Sequence, residues 1–263
     1  MEYFIEHGAD VETGNPLAFA LSYKIRTVLG VFKRYKDRFP SFQEQINIAL
    51  RHHCKEGNLK WVSLLLWAGA DPYSKGPDSP EAEPDPDEDI CALEYAALYK
   101  HLEIFKLKQI KITPEHPIAG ELLRNACRAE NADFLIDLIK QGFNPALQQD
   151  RGSSLIQTCI RCLTWSWDRF WLDRARDRDI DSSRSRETIK MIHILAQHGC
   201  KWMPGDSYEI NDARRCFLKM RNDYTVEFIW IMAKYNACGR ENTEQRIRTP
   251  GDPSAYCQTP IPD

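Results

Sequence analysis

Cysteine and histidine are where this chain could do chemistry. Cys159 and Cys162 form a C-x-x-C in the run "CIRC". That spacing offers half of a tetrahedral zinc shell or a redox dithiol, and a structural zinc site needs a second pair at suitable spacing. The chain has no second pair. Both cysteines sit in an apolar helical run, which predicts small core side chains. His52, His53 and Cys54 are consecutive, so on a helix they point in different directions and do not converge on one ion. His193 and His198 lie five apart in "HILAQH", without the H-E-x-x-H pattern of a zinc helix. His198 stands directly before Gly199, which reads as a cation at a helix end. No G-x-S-x-G, phosphate-loop or G-x-G-x-x-G run occurs. The expectation is a protein that is not an enzyme, with no catalytic residues, no metal and no cofactor.

Two charged segments suggest contacts instead. Pro77 to Asp89 carries seven acids and four prolines in thirteen residues, with no Lys or Arg. Such composition predicts a solvated, unfolded loop hung from a turn. A sharper reading makes it an acidic arm for a basic partner. Trp165 to Glu187 holds three of the seven tryptophans, Trp165, Trp167 and Trp171, and balances six arginines against six acids. A nucleic-acid arm would be net positive. Trp and Arg are instead enriched at the energetic centres of protein interfaces. The plainer reading has the tryptophans filling an extended helix core.

Bulk properties agree. The 263 residues carry a net charge of −3, too small for generic nucleic-acid binding. No window reaches the ~20 apolar residues of a membrane span, and the N-terminus "MEYFIEHGAD" has no signal-peptide pattern. Nine scattered cysteines, an odd number, predict reduced thiols and a cytoplasmic protein.

The elements that would position these residues recur. Gly8-Ala9-Asp10 and Gly69-Ala70-Asp71 repeat one turn, with looser copies at Gly142-Phe143-Asn144 and Gly199-Cys200-Lys201. Each follows an apolar helical pattern, and glycine there supplies the left-handed residue that stops a helix. A second set of short helices starts at "NPLAFAL", where Asn15 reads as an N-cap and Pro16 as N1. Aligning Leu17, Leu50, Leu93, Leu123 and Leu155 gives steps of 33, 43, 30 and 32. The acidic segment accounts for the long step.

"ALEYAALYKHLEIFKL", "EGNLKWVSLLLWAGADP" and "NPLAFA" make the chain resemble an ankyrin-repeat protein, whose unit is ~33 residues with two antiparallel helices. Asn15 and Ala18 replace the threonine and histidine of the family signature, and His53 stands where the family has alanine. The resemblance implies an all-α fold: an ankyrin solenoid of about six to seven helix-turn-helix units over 1–249, with loop insertions 76–90 and 165–187. A proline-containing tail, 250–263, follows. The last unit, "ARRCFLKMRNDYTVEFIWIMAKYNA", lacks the glycine. The chain opens inside a second helix, and Tyr3, Phe4 and Ile5 are not the polar face a terminal repeat needs. An upstream segment or a partner is expected to cover that end.

The resemblance further implies protein binding through a concave face. Its variable contact positions would be Ser22 and Tyr23, Lys55 and Glu56, Leu98 and Tyr99, Arg128 and Ala129, and Ile160 and Arg161. Tyr23, Tyr99, Arg128 and Arg161 are the expected anchors, with Trp165, Trp167 and Trp171 beside them. The expected function is a scaffold or adaptor subunit with a protein partner, no nucleic acid and no membrane. Alternatives are an antitoxin- or immunity-type inhibitor of a basic-surfaced enzyme, or a regulatory domain of a longer chain with its catalytic part elsewhere.

Overall fold

The computed structural model describes residues 2–82, 90–150, 154–162, 180–202 and 222–237. They are mostly helical, and the fold is all-α apart from one very short ladder. No helix among them is long and apolar enough to cross a membrane. The chain divides into two compact units, Met1–Ile112 and Thr113–Asp263.

In the first unit, α1 (Glu2–Glu6), α2 (Pro16–Ser22), α3 (Val28–Tyr35), α4 (Ser41–Lys55), α5 (Leu59–Ala68) and α6 (Ala92–Leu98) are followed by a 3-10 segment, Leu102–Lys106. The helices pack in chain order. α2 packs on α4 and α4 on α6, while α3, α5 and the 3-10 segment each pack on the helix before them. Leu17, Leu50 and Leu93, aligned by sequence, are all fully enclosed. Each such burial is worth roughly 1.5–3 kcal/mol. Ala49, Ala96 and Ala97 are equally buried, and their small size lets neighbouring backbones approach. Polar residues of α4 hold the flanking loops. Gln45, fully buried, donates to the Val11 carbonyl at 2.9 Å and accepts from the Leu17 amide at 2.8 Å. Asn47 accepts from the Asp71 amide at 2.9 Å.

The period is also written in the backbone. After α2, α4 and α6 the chain turns through a left-handed residue: Lys24 (φ 66°), Gly57 (φ 69°) and Lys100 (φ 64°). These lie 33 and 43 apart, as do the aligned leucines. Asn58 then caps α5 by accepting from the Trp61 amide. The expected cap at Asn15 takes another form. Asn15 is left-handed, makes no side-chain cap, and donates instead to the Pro80 carbonyl at 3.2 Å.

The acidic segment begins and ends in a ladder. β1 (Lys75–Gly76) pairs antiparallel with β2 (Ile90–Cys91), Lys75 opposite Cys91 and Gly76 opposite Ile90. The expected loop bounds, 76 and 90, are therefore paired residues. Glu94 in the first turn of α6 accepts from the Cys91 amide at 2.8 Å and anchors the exit.

The second unit contains α7 (Ala119–Arg128), α8 (Ala132–Lys140), a 3-10 segment Pro145–Asp150, α9 (155–162), α10 (Ile180–Gln197) and α11 (Asn222–Lys234). α7 packs on α8, α8 on α10 and α10 on α11. Glu130 (φ 49°) repeats the left-handed turn, 30 residues after Lys100, and Asn131 caps α8 through the Phe134 amide at 3.1 Å. Residues 180–187 of the expected insertion 165–187 form the first turns of α10 rather than a loop. Trp165, Trp167, Trp171 and the tail 250–263 lie outside the described residues. The glycine missing from the last unit is replaced by Asn236 (φ 45°). The Ala237 amide bonds Met232 there, as Ala70 bonds Leu65 and Cys200 bonds Leu195 after the glycine-ended helices.

Two glycines separate backbone strain from crowding. A Cβ at Gly69 (φ 108°) would meet nothing within 4 Å, whereas at Gly57 it would lie 2.4 Å from the His101 ring. His101 Nε2 bonds the Lys55 carbonyl at 2.9 Å. Gly69→Ala should cost about 1–2 kcal/mol from φ alone. Gly57→Ala should cost at least ~1 kcal/mol more, because His101 must leave that carbonyl. Urea denaturation of both variants checks the order.

Candidate functional site

The cysteines are placed for packing. Cys159 is fully buried on α9, and a hydrogen bond with the Cys127 thiol, aided by burial, holds it well above the usual thiol range. Cys162 is partly exposed, so the two members of the C-x-x-C face different surroundings. Burial pushes Cys91 and Cys200 up to about 12. These groups are held as thiols, while nucleophiles and metal ligands need thiolates. Among the described residues, no group of three His, Cys, Asp or Glu side chains could hold a metal ion. His193 bonds the Tyr235 hydroxyl at 2.9 Å, and His198 closes the end of α10, where it is exposed.

His53 is a buried, hydrogen-bonded residue of α4. Its ring is fully enclosed, stacks on Trp61, and places Nε2 3.0 Å from the Leu21 carbonyl at the end of α2. Burial lowers its pKa to about 4, against an ordinary 6.5. Below pH 6.5 the unfolded chain takes up this proton before the folded one does. Stability from this residue is therefore complete above pH 6.5 and is lost as pH falls from 6.5 to 4, by up to about 3 kcal/mol. His53→Gln keeps a donor for Leu21 but does not titrate. Its stability should show a shallower decline over this window, measured by denaturant titration at half-unit pH steps. Equal slopes would contradict the assignment.

The residues expected to contact a partner end the first helices of the pairs. Tyr23 caps the end of α2, Glu56 that of α4 and Tyr99 that of α6, so three equivalent helix ends present them. Tyr23 is 75% exposed and Tyr99 46%, while Glu56 is exposed. Lys55, the last residue of α4, holds its ammonium 5.7 Å from the Tyr99 ring centre and 5.9 Å from that of Tyr95. The structure thus joins Lys55 to Tyr99, with Glu56 beside them. Arg128 and Arg161 belong to the second unit. Both are exposed, and Arg128 donates to the Asn125 side chain at 3.1 Å.

The sequence reading missed the neighbour of this row. The start of the acidic segment lies against α4 instead of hanging free. Asp78 pairs with Lys55, and its side chain is only 15% exposed. Arg51, fully buried, donates from Nε to the Pro77 carbonyl at 2.7 Å and from Nη1 to the Ser74 carbonyl at 3.1 Å. Its Nη2 pairs with Glu44. No sequence signal marks Arg51 as enclosed, because α4 carries polar and charged residues along its whole length; once buried, a guanidinium needs several acceptors. Comparison with protein-family models, curated proteins and solved structures returned no match.

Proposed function

We propose that the chain is an ankyrin-type repeat protein whose first unit binds a protein partner, as a cytoplasmic scaffold or adaptor. The repeat reading is supported by left-handed turns at 24, 57, 100 and 130 after the first helices. Gly8, Gly69, Gly142, Gly199 and Asn236 end the second helices. The binding reading is carried by Tyr23 and Tyr99. They are large aromatic side chains exposed at equivalent helix ends, with Lys55 and Glu56 on the helix between. Tyrosine is enriched where interfaces concentrate their energy, since one ring supplies much contact area at little entropy cost.

The test is capture from native lysate on the tagged chain, compared with Tyr23→Ala/Tyr99→Ala. The reading expects a stoichiometric protein retained by the original chain and reduced at least tenfold by the variant, with both melting alike. Equal retention by the two chains, or no protein retained, overturns it.

A further inference from the structure

Four consecutive residues, 77–80, rest on α2 and α4 through three polar side chains. Arg51 takes the Pro77 carbonyl, Lys55 the Asp78 carboxylate, and Asn15 the Pro80 carbonyl. Two of these contacts read only backbone carbonyls, so they do not select side chains. The third reads negative charge. Proline suits both ends of this stretch because it has no N–H to leave unpaired, and the chain bends at Asp78 and Ser79 into a turn in which the Ala82 amide donates to the Ser79 carbonyl at 3.2 Å. The receiving side chains are built in: Arg51 is fully enclosed, and Lys55 is set beside the Tyr95 and Tyr99 rings. Lys55 is also the centre of the proposed binding row, and its counter-ion comes from its own chain 23 residues later.

We propose that residues 77–80 are a tethered occupant of the α2–α4 face, and that this face takes an acidic, proline-containing segment of a protein partner in competition with them. This deepens the protein-binding reading and rests on it. The shape of the receptor is shown by what it already holds: two carbonyls and one carboxylate within four residues of a bent chain. The ladder Lys75–Gly76 with Ile90–Cys91 keeps the tether short. A short tether presents its segment at about 1 mM. A free segment of ~100 μM affinity would then bind the intact chain about tenfold more weakly than a chain without the tethered copy.

The probe is a fluorescein-labelled peptide copying residues 76–90, titrated by fluorescence anisotropy. The chain in which 77–89 is replaced by as many glycines and serines should bind it saturably. Binding should fall at least tenfold with Lys55→Glu, with Asp78→Lys in the peptide, and on the intact chain. No saturable binding to a replaced chain that melts cooperatively, or equal binding to replaced and intact chains, overturns the proposal. If the replaced chain does not fold, cleavage after Glu81 by a glutamate-specific protease decides it in the full chain. Asp78→Lys or Lys55→Glu alone should speed cleavage at least fivefold, and the two together should restore the original rate. Equal rates in all four chains overturn it. A partner lost with Tyr23→Ala/Tyr99→Ala, but with no peptide bound, leaves the binding row standing and removes only the acidic ligand.

Discussion

Arg51→Met should lower the unfolding free energy by about 2–4 kcal/mol. The guanidinium is fully enclosed and serves acceptors on two residues besides Glu44 of α4: the Pro77 carbonyl, and both the carbonyl and hydroxyl of Ser74. Methionine fills much of the volume but offers no donor. The loop carbonyls then lose their partners where water reaches them only in part. Glu44 adds little to the loss, because its side chain is 48% exposed and can hydrate. Arg51→Lys should recover less than half, since an ammonium on a flexible stem does not reproduce a planar fork aimed at separate acceptors. Gly76 belongs to the same arrangement: at φ +142°, its missing Cβ leaves 2.9 Å to Arg51 Nη2. Chemical denaturation of both arginine variants is the check. A change under 1 kcal/mol for Arg51→Met would mean that the loop is held by other contacts.

Trp202→Ala should cost about 3–5 kcal/mol. Among the described residues Trp202 is the largest fully buried side chain, and it lies just after α10. Its indole N–H donates to the Gln157 side chain on α9 at 2.6 Å, and its ring meets Phe228 of α11 edge-on at 5.7 Å. Its amide also donates to the Ala237 carbonyl beyond α11. One residue therefore ties together three parts of the second unit. Trp202→Phe separates the contributions. It keeps most of the apolar volume but leaves the Gln157 carbonyl, itself 2% exposed, without its donor. That variant should lose about 1–3 kcal/mol. If Trp202→Phe costs as much as Trp202→Ala, the hydrogen bond rather than the ring dominates.

The spacing of enclosed leucines was legible because apolar periodicity survives wherever a helix buries one face. The left-handed turns were legible only where glycine marks them. Lys24, Lys100 and Glu130 adopt the conformation that Gly57 announces, because the turn between stacked helices demands it at all four sites. Their side chains give no sign of this. Asn236 was a readable substitute, since asparagine tolerates a positive φ better than most residues. The docked acidic stretch was hidden for another reason. Composition reports that seven acids repel one another, but not that Lys55 pairs with the first of them or that Arg51 holds the Pro77 carbonyl just before it. Trp202 went unnoticed beside the denser tryptophans of 165–171, although burial depends on position and not on clustering. Tyr23, Glu56 and Tyr99 were expected from the family resemblance alone; they directly follow α2, α4 and α6.

The two-residue ladder has a consequence for how this chain can vary. With Lys75 opposite Cys91, the chain leaves and re-enters the helical stack at one spot, whatever lies between. Doubling the number of residues between them adds only about 0.6 kcal/mol of closure entropy. Changes of length that spare residues 77–80, which Arg51, Lys55 and Asn15 hold, are therefore nearly neutral for packing of α4 on α6. The stack and the content of the segment are free to diversify at different rates, as a socket and its interchangeable plug would.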